Sequence, residues 1–162
     1  ETLKRARFAA SCGAGAVIIS GALSGFASIL EASRDNKVNV PVFFHPAFAG
    51  SFTSCRNSGI SHYALYGQLT RLSGADAAIF PNYGGRFSFS KEECKSIVKG
   101  CADKFGKAKA ILPAPGGGMT VERASELKEF YGNDAVFLIG GGLFKHSDNI
   151  TKSVRDFIGC LK

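Results

Sequence analysis

The chain has no Cys-x-x-Cys pair, no run of like charges and no neighbouring strand patterns joined by a hairpin turn. Each absence removes a class of protein. The five cysteines (Cys12, Cys55, Cys94, Cys101 and Cys160) form an odd, widely spaced set. That argues against a zinc site and a disulfide framework, and for free thiols in a reducing, cytoplasmic compartment. The net charge is +7, from 20 Lys+Arg against 13 Asp+Glu, but the cations are scattered singly. The densest group, Lys4-Arg5-Ala6-Arg7, reads as one face of a helix. No aromatic–basic interleaving of the kind that binds RNA or single strands is present, so no nucleic-acid partner is expected. The surplus charge suits a phosphorylated small molecule or a solvated basic surface. No start methionine and no signal peptide precede the first expected helix, as in a fragment of a longer protein.

Residues 8–30 carry no charge, and their length would suffice for a membrane span. Glycines and serines interrupt them, and the dense apolar block is only Ala16-Val-Ile-Ile19. A strand, a Gly/Ser loop and a helix account for the stretch, and no membrane partner is expected.

What is present is a regular alternation. At 162 residues, 45% hydrophobic and 20% charged, the chain is expected to form one domain, 1–162, with a sizeable core. An amphipathic helix over 1–12 is stopped by Gly13 and Gly15. Strands are expected at 16–20, 40–45, 74–80, 109–113 and 135–139. Helices follow them: a weak one to 33, then 57–72, 90–105 and 120–130, and a last one from Asp148 to 161. Ser90 with Glu93 forms a capping-box pattern. Thr120 and Asp148 are expected caps, and Gly132 an expected stop.

Five strand–loop–helix units in succession argue for an α/β fold with a parallel sheet buried on both sides. Either a doubly wound open sheet or part of an eight-unit barrel fits the pattern. In both, ligands sit at the carboxyl ends of the strands. The unusual sequence lies there, in 20–25, 45–50, 81–87, 114–119 and 140–146. In particular Phe137-Leu-Ile-Gly-Gly-Gly-Leu-Phe-Lys-His146 is a strand ending in three glycines, either a tight turn or a backbone cradle for an anion. Gly116–Gly118 repeats that pattern one strand earlier.

Seven segments stand out together: His45-Pro-Ala-Phe-Ala-Gly50, Gly59-Ile60, Leu69-Thr-Arg-Leu-Ser-Gly-Ala-Asp76, Phe80-Pro-Asn-Tyr-Gly-Gly85, Pro113-Ala-Pro-Gly-Gly-Gly-Met119, Phe130-Tyr-Gly-Asn-Asp134 and Gly140-Gly-Gly-Leu-Phe-Lys-His146. In these residues the chain resembles the large chain of RuBisCO and the RuBisCO-like proteins. The likeness runs in order over essentially the whole chain. It implies the second part of a (β/α)8 barrel, about five of eight units, from the helix before strand four to strand eight.

It further implies a phosphorylated keto-sugar or sugar acid as substrate, with Mg²⁺ assisting formation of an enediolate. Gly140, Gly141, Gly117 and Gly118 would offer backbone N–H groups to the substrate phosphate. His45 would face the substrate as a catalytic group. Arg86, one residue off the position of the family's mobile-loop lysine, is the second catalytic candidate. Lys145 and His146 are either ligand contacts or a surface cap of the last helix, and His62 is expected to be structural.

The departures from true RuBisCO are equally specific. Pro46 stands where an arginine follows the histidine, and Phe80 replaces the strand-six histidine. CO₂ fixation is therefore not expected; enolisation, isomerisation or decarboxylation is. The loop after strand six does not resemble that of the methionine-salvage enolases. The family's metal ligands belong to strands one and two, and no Lys-x-Asp-Glu occurs here, so no metal ligand is assigned. Five units cannot close a barrel, so the open edges imply a homo-oligomer or another chain completing it. Without such completion the chain would be a non-catalytic module that binds phosphate or serves assembly.

Overall fold

The computed structural model describes residues 1–55, 57–87 and 89–161. Four short parallel strands form one sheet in sequential order: β1 (Val17–Ile19), β2 (Val42–Phe44), β3 (Ala77–Pro81) and β4 (Leu112–Gly116). The order never reverses, as it must in a doubly wound sheet, so the arrangement is that of an arc cut from a barrel. The sheet is not closed. The helices are α1 (Thr2–Ser11), α2 (Gly21–Ser24), α3 (Phe26–Arg34), α4 (Gly50–Thr53), α5 (Thr70–Leu72), α6 (Lys91–Ala102), α7 (Ala124–Tyr131), α8 (Gly141–His146) and α9 (Ile150–Cys160). A π-helical segment, Tyr63–Leu69, runs directly into α5.

Strand side chains alternate between two unlike faces. Val17, Ile19, Val42, Phe44, Ala78 and Phe80 point at the helices and join Ile29, Leu65, Ile97 and Leu127 in the main core. Burying each of these large side chains stabilises the fold by about 1.5–3 kcal/mol. The opposite face holds only a small cluster, Ala77, Ile79 and Ala114 with Phe43, Val136 and Leu138 packed on it. Ile18 on the β1 edge stays 61% exposed.

The expected fifth strand is the main correction to the fold. Residues 135–139 run beside β4 but pair with it only through one isolated bridge, Gly116 with Leu138. The cause is in β4. Pro113 and Pro115 turn their carbonyls to this segment and accept from Val136 N–H (2.9 Å) and Leu138 N–H (3.2 Å). Neither has an N–H to donate back, so half of the ladder cannot form. The fourth strand also begins later than expected, because Leu112 N–H is the first to bond β3's flank, at Asp76 O (3.0 Å).

Most helix signals are met, with local shifts. Gly13 follows α1 at φ +88° and Gly132 ends α7 at φ +78°, the left-handed conformation that glycine adopts without strain. The Ser90 capping box forms in both directions, Ser90 N–H to Glu93 (2.8 Å) and Glu93 N–H to Ser90 Oγ (3.1 Å). Asn149, not Asp148, caps α9, accepting from Lys152 N–H at 3.1 Å. Thr120 caps nothing; α7 begins later, at Ala124, behind Arg123. The expected helix over 57–72 becomes helical only from residue 62, and then as a π-helix. No helix among the described residues is long and apolar enough to cross a membrane.

Candidate functional site

The loops that leave the carboxyl ends of the strands gather the candidate residues into two neighbouring clusters. The first is a cleft of about 1320 Å³ between the loops that follow β2 and β3, and both His45 and Arg86 line it. His45 leaves β2 with its backbone N–H bonded to Ile19 O (2.9 Å), which anchors it at the sheet's rim. Its Nδ1 accepts from Ala47 N–H at 3.1 Å. In the neutral ring the proton therefore sits on Nε2, a free donor. Arg86 is exposed, and its guanidinium lies 4.9 Å from the centre of the Phe87 ring.

His62 also lines this cleft. It stacks on Tyr66 (5.9 Å) and meets Phe89 edge-on (4.6 Å). Burial pulls its pKa below the ordinary histidine value, while Glu93, 3.8 Å away, pulls the other way. A ring held this way forms a wall of the cleft.

The second cluster is built of backbone. Gly117 (φ +85°) and Gly118 (φ +64°) turn away from the end of β4 in a conformation that favours glycine. A Cβ on Gly118 would fall 2.6 Å from Gly85 Cα, so the loops after β3 and β4 touch main chain to main chain. Gly142 is packed equally tightly against the Met119 carbonyl, which brings the third glycine run beside the second. Gly117, Gly140 and Gly141, by contrast, have no atom within 4 Å of where a side chain would begin. All four expected phosphate-binding glycines are exposed. Gly85 touches this cluster and Arg86, the next residue, lines the cleft; the two clusters meet through that one loop.

One feature of the site escaped the sequence reading. Arg123 Nη1 donates to Gly118 O (2.8 Å) and reaches Tyr83 O (3.5 Å). Its guanidinium lies over the Tyr83 ring at 5.1 Å, and its Nε bonds Glu126 at 3.2 Å. Glu126 also accepts from Tyr83 OH (2.9 Å) and pairs with Lys91 (3.4 Å). Burial first, and then the Glu126 carboxylate, push the Tyr83 hydroxyl up to about 12. The available signal was Arg123-x-x-Glu126 at helical spacing, which reads equally as an ordinary surface pair.

His146 bonds within the protein. Its Nδ1 faces Glu122 (3.0 Å) and its Nε2 faces Asp156 (3.1 Å), tying α8 to the loop before α7 and to α9. Both carboxylates raise its pKa, and Glu122 is held down to about 2 by Thr120, its own backbone N–H and His146. Phe80, at the position of the missing strand-six histidine, is buried against Tyr66 and Tyr131 and makes no cleft wall. Among the described residues no group of three or more His, Cys, Asp or Glu is placed to hold a metal ion.

No family model matches the chain. The chain is 40% identical over 119 residues to the 5-methylthioribulose-1-phosphate isomerase of Rhodospirillum rubrum, covering 74% of the chain and 30% of that protein. It is 39% identical over 116 residues to ribulose bisphosphate carboxylase-like protein 1 of Rhodopseudomonas palustris, covering 72% and 30%. It is 32% identical over 145 residues to the 2,3-diketo-5-methylthiopentyl-1-phosphate enolase of Exiguobacterium sibiricum, covering 90% and 36%. Among solved structures, a Rubisco-like protein from Alicyclobacillus acidocaldarius superposes with a TM-score of 0.88 at 32% identity, covering 98% of the chain and 40% of that one. The chain spans less than half the length of each of these relatives.

Proposed function

Because the chain belongs to the RuBisCO and RuBisCO-like protein family, we propose that it supplies the phosphate-gripping, substrate-facing part of a RuBisCO-like barrel. The substrate is a phosphorylated keto-sugar or sugar acid, and the reaction is its enolisation or isomerisation rather than CO₂ fixation. The observation that carries this reading is the meeting of two glycine runs at neighbouring strand ends. Gly117, Gly140 and Gly141 lie open there, and Gly142 is wedged against Met119. Bare backbone at that position suits the phosphate end of a substrate. Both the isomerase and the enolase among the relatives are named for phosphorylated compounds.

The phosphate would sit on the N–H groups of Gly117, Gly118, Gly140 and Gly141, with the sugar carbons extending past Gly85 to the cleft. There His45, donating from Nε2, would bond a substrate oxygen, and Arg86 would meet charge that develops on the enolate. Decarboxylation fits the same arrangement, since it too places negative charge on a carbon beside a carbonyl.

Magnesium is a different matter. The described residues do not fit a divalent cation, which needs several oxygen ligands: no three His, Cys, Asp or Glu among them come together. The ligands would have to come from the part of the barrel this chain does not supply. Two edges stand ready for that part: β1, with Ile18 exposed, and the single-bridge segment at 136–138. A preceding segment, a second copy or another chain could cover them. A second reading, a phosphate-binding module without catalysis, is favoured by the lack of a metal-ligand group among the described residues.

The test has two arms. Titrating the chain with inorganic phosphate should shift the amide resonances of Gly117, Gly118, Gly140 and Gly141. A protein carrying the chain together with the missing strands, given 5-methylthioribulose 1-phosphate in ²H₂O with Mg²⁺, should exchange the proton beside the carbonyl. Phosphate binding without exchange would leave the module; silence at all four glycines would discard the cradle.

A further inference from the structure

Arg123 lies outside the cleft yet touches both loops of the site. We propose that Arg123 is a positioning residue: it fixes the Gly117–Gly118 backbone as a phosphate-receiving turn and clasps the Arg86-bearing loop to it. The inference rests on the phosphate reading above.

The geometry is that of a latch. One guanidinium nitrogen bonds Gly118 O at 2.8 Å and faces Tyr83 O at 3.5 Å, so a single group spans the loops after β4 and β3. In a trans peptide the carbonyl and the following N–H point in opposite directions. Holding Gly118 O toward Arg123 therefore turns the Met119 N–H the other way. Gly116 O is held likewise, by Asn82 N–H at 2.9 Å, which turns the Gly117 N–H away from β3. Between these two fixed peptides lie only glycines at positive φ, the residues with most freedom to lose the conformation. A loop of that composition needs an outside group to hold it.

The guanidinium is itself held. Tyr83 lies beneath it at 5.1 Å and Glu126 bonds its Nε at 3.2 Å. A Cβ on Gly84 would sit 3.2 Å from Nη1, so the β3 loop closes over the arginine as tightly as glycine permits. A planar fork that bonds, stacks and pairs at once is a role lysine cannot fill.

The experiment compares phosphate affinity, read from the Gly117 and Gly118 amide shifts, in the wild-type chain and in Arg123→Gln, Arg123→Lys and Gly100→Ala. Thermal midpoints are measured in parallel. Arg123→Gln should weaken phosphate binding roughly tenfold, as loss of one charge-assisted hydrogen bond does. Arg123→Lys should recover part of that loss. Gly100→Ala forces a Cβ to 2.5 Å from the Tyr63 carbonyl oxygen, outside the clasp, so it should lower the midpoint and keep most of the affinity. Equal affinity in wild type and Arg123→Gln overturns the proposal, as does parallel loss in Arg123→Gln and Gly100→Ala, which would mean bulk stability alone. If Arg123→Gln does not fold, full wild-type affinity in Arg123→Lys also overturns it. If wild-type chain shows no shift at either glycine, the phosphate reading fails and takes the proposal with it.

Discussion

Gly67 and Gly100 lie back to back where the π-helical segment crosses α6, and neither position has room for a Cβ. A methyl on Gly100 would come 2.5 Å from the Tyr63 carbonyl oxygen and 3.1 Å from Gly67 Cα. These are backbone atoms, which cannot swing aside as a side chain does. The close approach seats Leu65 and Tyr66 against the sheet, and Tyr66 in turn forms part of the cleft that His45 and Arg86 line. Gly100→Ala should therefore destabilise the chain by about 1–3 kcal/mol, the usual cost of overpacking. A urea titration that returns the wild-type midpoint would refute this.

Arg71 is the one buried cation among the described residues, 6% exposed, and it closes the far end of the same helix. Its guanidinium donates to Gly100 O (3.1 Å), Asp103 O (2.6 Å), Ala108 O (2.8 Å) and Lys109 O (2.8 Å). The last turn of α6 has carbonyls with no partner of their own, and Arg71 supplies it from another element. Arg71→Gln should cost about 3 kcal/mol or more, because several buried carbonyls lose their donor at once. Arg71→Lys should recover only part, since one ammonium cannot reach all four. Equal stability of the lysine variant and the wild type would show that charge, not the fork, is what matters.

The parts of the fold that were legible in the sequence are those governed by local rules. Ser90 with Glu93 predicted a capping box, and both of its bonds form. Glycines after apolar helices predicted stops, and Gly13 and Gly132 take the positive φ that a stop needs. The illegible parts depend on what lies opposite. Residues 135–139 have a strand's composition, but their pairing is decided by Pro113 and Pro115 in the neighbouring strand. The helix over 57–72 has helical spacing, but it becomes a π-helix where it meets Gly100. The site shows the same division. The glycine runs and His45 are candidates on their motifs alone, whereas Arg123 becomes one only when the loops after β3 and β4 touch.

His146 makes stability depend on pH through a bridge that only the charged ring can complete. Each ring nitrogen faces a carboxylate, Glu122 or Asp156, and both nitrogens donate only in the imidazolium. The folded-state pKa is raised above the ordinary value of 6.5. The contribution is thus complete below pH 6.5 and fades as pH rises through the raised folded value. Glu122 acts in the opposite sense: its pKa, held at about 2, gives a contribution present above 4.5 and lost as pH falls toward 2. His146→Gln should flatten the loss of stability above pH 6.5 and shrink, without removing, the acid limb, because Thr120 and Glu122's own backbone N–H also hold the Glu122 carboxylate down. Chemical denaturation at intervals from pH 5 to pH 9 checks this; a wild-type–variant difference that does not change with pH would exclude the bridge.

The cysteines offer a probe of the cleft itself. Cys55 is exposed on the cleft wall, and the backbone N–H groups of Asn57 and then Ser58 hold its thiol below the usual range. Cys101 is buried, which pushes its thiol up to about 12, and burial raises Cys94 as well. The thiolate is the species that alkylates, so iodoacetamide near pH 7.5 should modify Cys55 first. Cys94 and Cys101 should react only on unfolding. The adduct at Cys55 would stand in the same cleft as His45 and Arg86, while the glycine cluster lies beyond Gly85. Alkylation should therefore impair entry of a sugar phosphate yet leave inorganic phosphate binding at Gly117 and Gly118 intact. Peptide mapping by mass spectrometry gives the order of modification, and the amide titration gives the effect. If Cys55 reacts no faster than exposed Cys12 and Cys160, the lowered thiol is wrong; if its adduct abolishes phosphate binding, the two clusters are not separate.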